Sequence, residues 1–149
     1  MWIYKENTLE ESNIPEKSIG FVYKISHIPS GKFYYGRKLL TKAATKTIKG
    51  KTKKIRKKSD WEDYWSSSPA LIDFITEQGK DNFKREILLF VVSKSCLIYA
   101  EEYILFVSGS LFDEKCMNGN IRSRIQRTWF NKTPNLHKEL KLITPQLFH

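Results

Sequence analysis

The stretch "GFVYKISHIPSGKFYYGRK", residues 20–38, decides how the chain reads. Residues 21–27 alternate bulky and polar side chains and are rich in β-branched and aromatic types, the pattern of a strand. Pro29 and Gly31 in "HIPSG" supply a turn, and residues 32–37 return as the second strand of an antiparallel hairpin. With residues 28–31 as the loop, His27 pairs with Lys32, Ile25 with Tyr34 and Tyr23 with Gly36. Side chains alternate faces along a strand, so Tyr23 and Tyr34 then share one face as diagonal neighbours. An odd-length loop without a bulge would separate them. Gly36 opposite Tyr23 leaves an open spot beside the phenol for another backbone or a phosphate.

The hairpin runs into the most basic part of the chain. Residues 37–58 hold eleven Lys or Arg and no acid, whereas the other residues hold fifteen basic against sixteen acidic side chains. One segment therefore creates the net charge of +10. A smaller excess follows Ile121, where Arg122, Arg124, Arg127, Lys132, Lys138 and Lys141 face only Glu139. Scattered charge would read as a solubilising surface; clustering favours a nucleic-acid partner. Lys42, Lys46, Lys49, Lys53 and Arg56 recur at helical spacing, so a helix would align them. The threonines, Gly50 and self-repulsion equally suit a mobile loop that orders on an anion.

The remaining residues describe one domain of α+β class. "WEDYW", residues 61–65, is an aromatic cluster that anchors the far end of the basic run to the core; stacking on a base is the alternative. In "SSSPALIDFITEQGK", Ser68 caps a helix, Pro69 takes its first position and Gly79 stops it, with Leu71, Phe74 and Ile75 on the core face. "FKREILLFVV" follows as a third, central strand, and Ser93 or Ser95 starts a second helix to about Val107. The expected fold is a small, mainly antiparallel three-stranded sheet flanked by helices. Residues 1–19 form a lead-in, 20–125 the domain with a basic insertion at 38–58, and 126–149 a basic tail. No apolar run is long enough to span a membrane, and Glu101 and Glu102 interrupt residues 97–107. The N-terminus lacks the signature of a signal peptide. Cys96 and Cys116 lack partners at metal-ligand spacing and read as free thiols of a reducing cytoplasm.

The second helix holds a local conflict. Glu101 shares its face with Leu97, Ile98, Ile104 and Leu105, and Glu102 is nearly as apolar in its surroundings. Such a carboxylate needs an ion-pair partner, with Arg85 one candidate, or a metal, or a cleft in which it acts as an acid or base. Asn118 and Asn120 in "MNGN" read as turn residues around Gly119. His27, His137 and His149 sit in unrelated contexts, and no glycine-rich phosphate loop is present.

These phrases in order resemble one known family. Tyr23 in "GFVYKI" and Tyr34 in "KFYYGRK", eleven residues apart, are similar to the paired signatures of the GIY-YIG nucleases. "GKDNFKREIL", "YAEEYILF" and the asparagine of "CMNGN" follow in that family's order, so the resemblance covers residues 20–125. "DYWSSS" and "YAEEYILF" are similar to small phage-encoded members, particularly free-standing homing-type endonucleases. The resemblance implies a divalent-metal phosphodiesterase, with Mg2+ or Mn2+ as cofactor and double-stranded DNA as partner. Tyr23 would assist or perform deprotonation of water, and Tyr34 would position phosphate and water. Glu101, favoured over Glu102, would hold the metal, Asn118 would support the site, and an arginine would stabilise the phosphate. Arg37 is favoured for that arginine and Arg56 is the alternative. A free tyrosine near pKa ~10 is a poor base, so Tyr23 needs the metal or cationic neighbours to ease its ionisation. Lys38, Lys42, Lys46, Lys49, Lys53, Arg56, Arg122 and Arg124 are expected to grip DNA, mainly at phosphates. The alternative is a nucleic-acid-binding module without catalysis on the same fold.

Overall fold

The structure, a computed structural model, describes residues 1–121 and 127–145. The hairpin register follows from the turn. The His27 amide donates to the Lys32 carbonyl at 2.8 Å, and Ile25 pairs with Tyr34 and Tyr23 with Gly36, as the alternation requires. The two strands are β3 (Gly20–His27) and β4 (Phe33–Leu39). They join β1 (Trp2–Tyr4), β2 (Asn7–Thr8) and β7 (Phe83–Val91) in a sheet of order β2-β1-β7-β3-β4. The sequence predicts three strands here; the sheet has five. The extra two come from the lead-in, where Lys5 and Glu6 take positive φ and fold β2 back on β1. Strands of three and two residues are too short to show a period. β1 runs parallel to β7 and every other pair is antiparallel, with β7 central as its apolar run implies.

Alternation along β3 splits the interior in two. Phe21, Tyr23 and Ile25 face helix α1 (Pro69–Gln78) and pack with Trp2, Trp61, Leu71 and Ile75. Val22 on the opposite face packs, with Tyr35 and Val91, against α2 (Lys94–Val107) and α3 (Leu136–Ile143). Burying each large apolar side chain contributes about 1.5–3 kcal/mol, which gives both layers a reason to form. Ser68 caps α1 through the Leu71 amide, and Gly79 at φ +86° ends it; Ser93 caps α2 through the Cys96 amide. The C-terminal segment is not only a charged tail, because Leu136 and Leu140 are buried against α2.

The basic run is neither helix nor loop. β5 (Thr41–Ile48) and β6 (Lys51–Lys58) form a separate antiparallel ribbon. Lys49 and Gly50 make its turn, both at positive φ, the conformation a two-residue hairpin loop demands. The β-branched Thr41, Thr45, Thr47, Ile48, Thr52 and Ile55 favour the strand over the helix. Pairing divides the supposed helical stripe: Lys42, Lys46 and Lys53 share one ribbon face, Arg56 lies on the other, and Lys49 sits in the turn. A single residue, Leu40, separates β4 from β5. The Ser59 amide and hydroxyl, at 2.9 and 2.6 Å from the Leu40 and Leu39 carbonyls, close the ribbon where it began.

Candidate active site

Tyr23 and Tyr34 meet on the α1 face of the hairpin, with ring centroids 6.4 Å apart. The Tyr23 ring is enclosed by Trp2, Phe21 and the edge of Tyr64. The space over Gly36 is not open to a phosphate: the Tyr23 phenol itself fills it, and a Cβ at Gly36 would lie 2.3 Å from the hydroxyl. Burial raises the Tyr23 pKa well above the ordinary tyrosine value, and neighbouring Tyr64 adds to the rise while a hydrogen bond with Ser66 opposes it. The cationic field expected to ease ionisation of Tyr23 is not what acts on it; its electrostatic neighbours are the phenols of Tyr64 and Tyr34. Tyr34 is half-buried. Its pKa is also raised, by burial first and then by the Glu101 charge, again against a Ser66 hydrogen bond.

Glu101 and Arg37 meet across the outer edge of β4. Arg37 follows Gly36 on the face that α2 covers, and its Nε lies 3.7 Å from the Glu101 carboxylate. Glu101 retains 18% side-chain exposure and Arg37 39%. Glu102 is buried. Burial raises the Glu101 pKa to about 7; Arg37 pulls it down and Glu102 pushes it up. Arg85 is not the partner of either glutamate. It lies on the α1 side of the sheet between the Trp2 and Trp65 rings, 4.6 and 4.2 Å from their centroids, and donates to the Glu62 and Tyr64 carbonyls. The sheet therefore separates Arg85 from α2.

Arg37 also lines a cleft of about 520 Å³ between the ribbon root and the start of α2, with Lys38, Lys42, Arg56, Asp60 and Lys94. Arg56 is held there by Thr41, whose hydroxyl and carbonyl accept from its guanidinium at 3.1 and 2.8 Å. Lys38 is turned inward, paired with Asp60 at 2.6 Å and over the Tyr64 ring at 3.9 Å. Lys42, Lys46, Lys49 and Lys53 are exposed on the ribbon. Arg122 and Arg124 lie outside the described residues.

Asn118 works through the backbone. Its side chain accepts from the Tyr35 amide at 2.9 Å and donates to the Tyr35 carbonyl at 2.8 Å, which satisfies one edge of β4 beside Tyr34. Residues 115–117 continue this edge: Phe33 donates to the Lys115 carbonyl and Met117 to the Phe33 carbonyl. Two residues escaped the sequence reading, Tyr64 and Ser66. Both lie in "DYWSSS" and join the two tyrosines, but they come from an irregular segment with no period to place them. Lys94 in the cleft was also missed, because it opens α2 with no motif of its own.

Two tyrosines thus meet on the hairpin, and an arginine and a helix-borne carboxylate meet at its edge. The family described as "Putative endonuclease segE, GIY-YIG domain" matches residues 2–133, most of the chain, so this protein belongs to the GIY-YIG nuclease family. That match takes in β1 and β2 as well as the hairpin. No curated protein and no solved structure matches the chain.

Proposed function

We propose that this protein is a divalent-metal-dependent endonuclease that hydrolyses phosphodiester bonds in double-stranded DNA, a free-standing phage enzyme of the homing type acting in the host cytoplasm. The observation that carries this reading is the Arg37–Glu101 pair at 3.7 Å, whose arginine lines a basic cleft and whose carboxylate acts on Tyr34. The residues fit a Mg2+ or Mn2+ ion. Burial disfavours the Glu101 charge more than Arg37 favours it, and magnesium takes one or two carboxylates with waters and phosphate oxygens. Glu101 would be the main protein ligand, with waters and phosphate oxygens completing the shell. Bound there, the ion would offset phosphoryl charge and lower the pKa of a coordinated water.

The chain's own groups divide the remaining work. The Arg37 guanidinium donates to a phosphate oxygen and exchanges its contact with Glu101 for one with substrate. Tyr34, held protonated by burial, donates to the phosphate or orients the water. The water oxygen bonds to phosphorus as the bridging P–O ester bond breaks, and the proton that the water gives up is matched by one delivered to the leaving oxygen. Tyr23, packed against Tyr34 and Tyr64, would assist deprotonation of the water once a bound ion offsets its raised pKa. Asn118 holds β4 in place, and the ribbon lysines bind phosphates with strong salt dependence.

Supercoiled plasmid with Mg2+ or Mn2+ tests the reading, beside Tyr34→Phe and Glu101→Gln variants. Metal-dependent nicking or linearisation, lost in Glu101→Gln and falling steeply between low and physiological salt, is the expected result. Retardation of the plasmid without any cut would leave a binding module in place of the enzyme.

A further inference from the structure

The ribbon holds a set of side chains that phosphate binding alone does not explain. On one face Lys42 lies opposite Lys57 and Lys46 opposite Lys53, with Ala44 opposite Ile55 between these pairs. Directly opposed like charges destabilise an antiparallel pair, and a lone two-stranded hairpin is marginal at best. Among the described residues no third strand and no helix is packed on this ribbon. That face nonetheless has an order, with two lysine pairs flanking an apolar pair and Ile48 opposite Lys51 at the tip.

We infer that the ribbon enters the major groove of duplex DNA and reads base edges there, so that it selects where the enzyme cuts. This rests on the nuclease reading for the cut itself. The dimensions fit: the major groove is about 12 Å wide and admits a two-stranded ribbon, whose strands are about 4.8 Å apart. Lysine side chains from β5 reach the phosphates of one groove wall and those from β6 the other. The apolar pair Ala44 and Ile55 then faces the groove floor, where thymine presents a methyl group and other bases do not. A strand of eight residues spans about 24 Å from first to last, roughly seven base-pair steps. β5 continues from β4 through Leu40, and the ribbon root shares a cleft with Arg37. The base pairs read therefore lie on one side of the cut, within about one turn of the helix. In an A-form duplex the major groove is too deep and narrow for this contact.

The test uses the full chain in two arms. In the first, the wild type and an Ala44→Ser, Ile55→Ser double variant cut one library of random duplexes with Mg2+, and the cut positions are sequenced. The wild type should prefer T-containing steps within about ten base pairs on one side of the cut, and the variant should lower that preference about tenfold relative to unpreferred sites in the same tube. A cut profile identical in both proteins, or a preference centred on the cut, overturns the inference. In the second arm, Glu101→Gln is bound to a duplex without cutting and methylated at guanine N7, a major-groove atom. Protection over a single patch of about seven base pairs supports the ribbon's role even where the wild type cuts nothing, a result that would overturn only the nuclease reading. Retardation without N7 protection, blockade by a minor-groove ligand, or retention of a structured RNA but not the duplex overturns the groove assignment.

Discussion

β4 and β5 are consecutive strands joined through Leu40, yet they build opposite kinds of surface. Around β4, two tyrosines, an arginine and a glutamate are crowded among rings, and burial moves their ionisation equilibria. Along β5 and β6, lysine faces lysine in open solvent, and charge repulsion replaces packing. The first region is organised before any ligand arrives, which is how polar groups act on a reaction without paying for reorganisation. The second is held together least well on its own, and an anion along it would relieve the repulsion. Steric tolerance follows the same division: a Cβ at Gly36 collides with Tyr23, whereas one at Gly50 meets nothing within 4 Å.

The sharpest way to probe this contrast is at Glu101. Glu101→Gln should lower cutting about a thousandfold, equivalent to about 4 kcal/mol of transition-state stabilisation, in the plasmid assay. The same substitution should make the protein more stable near neutral pH. Because the folded-state pKa of Glu101 is raised from 4.5 to about 7, the folded protein keeps a proton that the unfolded chain releases. Stability is therefore full below about pH 4.5 and declines by up to about 3 kcal/mol as pH rises through 7. Thermal unfolding across this range should show the decline in wild type and a flatter profile in Glu101→Gln. Mg2+ should raise the wild-type Tm at the upper end of the range and leave that of Glu101→Gln unmoved; equal shifts in both would place the ion elsewhere.

Next in size is Gly36→Ala, which should cost about 3 kcal/mol because the Tyr23 phenol must leave its place in the aromatic cluster. Gly50→Ala should cost about 1 kcal/mol, from backbone conformation alone, and only in the ribbon. Denaturant unfolding measures the first and local hydrogen exchange the second; equal costs would abolish the contrast. Asn118→Ala should cost about 2 kcal/mol through the unmade Tyr35 hydrogen bonds and lower kcat more than it raises KM, since it displaces Tyr34 and not the lysines. The smallest effect is expected at Lys46→Glu. It should stabilise the ribbon by about 0.5 kcal/mol by facing Lys53 with an opposite charge, while weakening DNA binding and its salt dependence.

The two regions also differ in how far the sequence reveals them. The β3–β4 hairpin is legible to the register, because strict alternation and a Pro29–Gly31 turn leave one pairing that keeps both tyrosines on one face. Glu101 stands out because a carboxylate among leucines and isoleucines contradicts its surroundings. The ribbon was not legible as a ribbon: lysines spaced by four positions satisfy a helix as well as a strand, and the deciding turn uses Lys49 at positive φ, an uncommon choice. Arg85, one candidate partner for the helix carboxylates, lies on the other side of the sheet, since sequence spacing does not say which face of β7 an arginine takes. Tyr64, Ser66 and the true task of Asn118 depend on contacts between segments far apart in the chain, which no local pattern encodes.

The closure at Ser59 has an evolutionary consequence. Because the ribbon leaves the domain at Leu40 and returns beside it, with Ser59 bonded to the Leu39 and Leu40 carbonyls, it is attached at a single doorway. Neither core loses a principal member if everything between those points is shortened or exchanged. An attachment of that kind lets a lineage redraw the surface presented to its partner in one genetic event, while the residues around Arg37 and Glu101 are inherited intact.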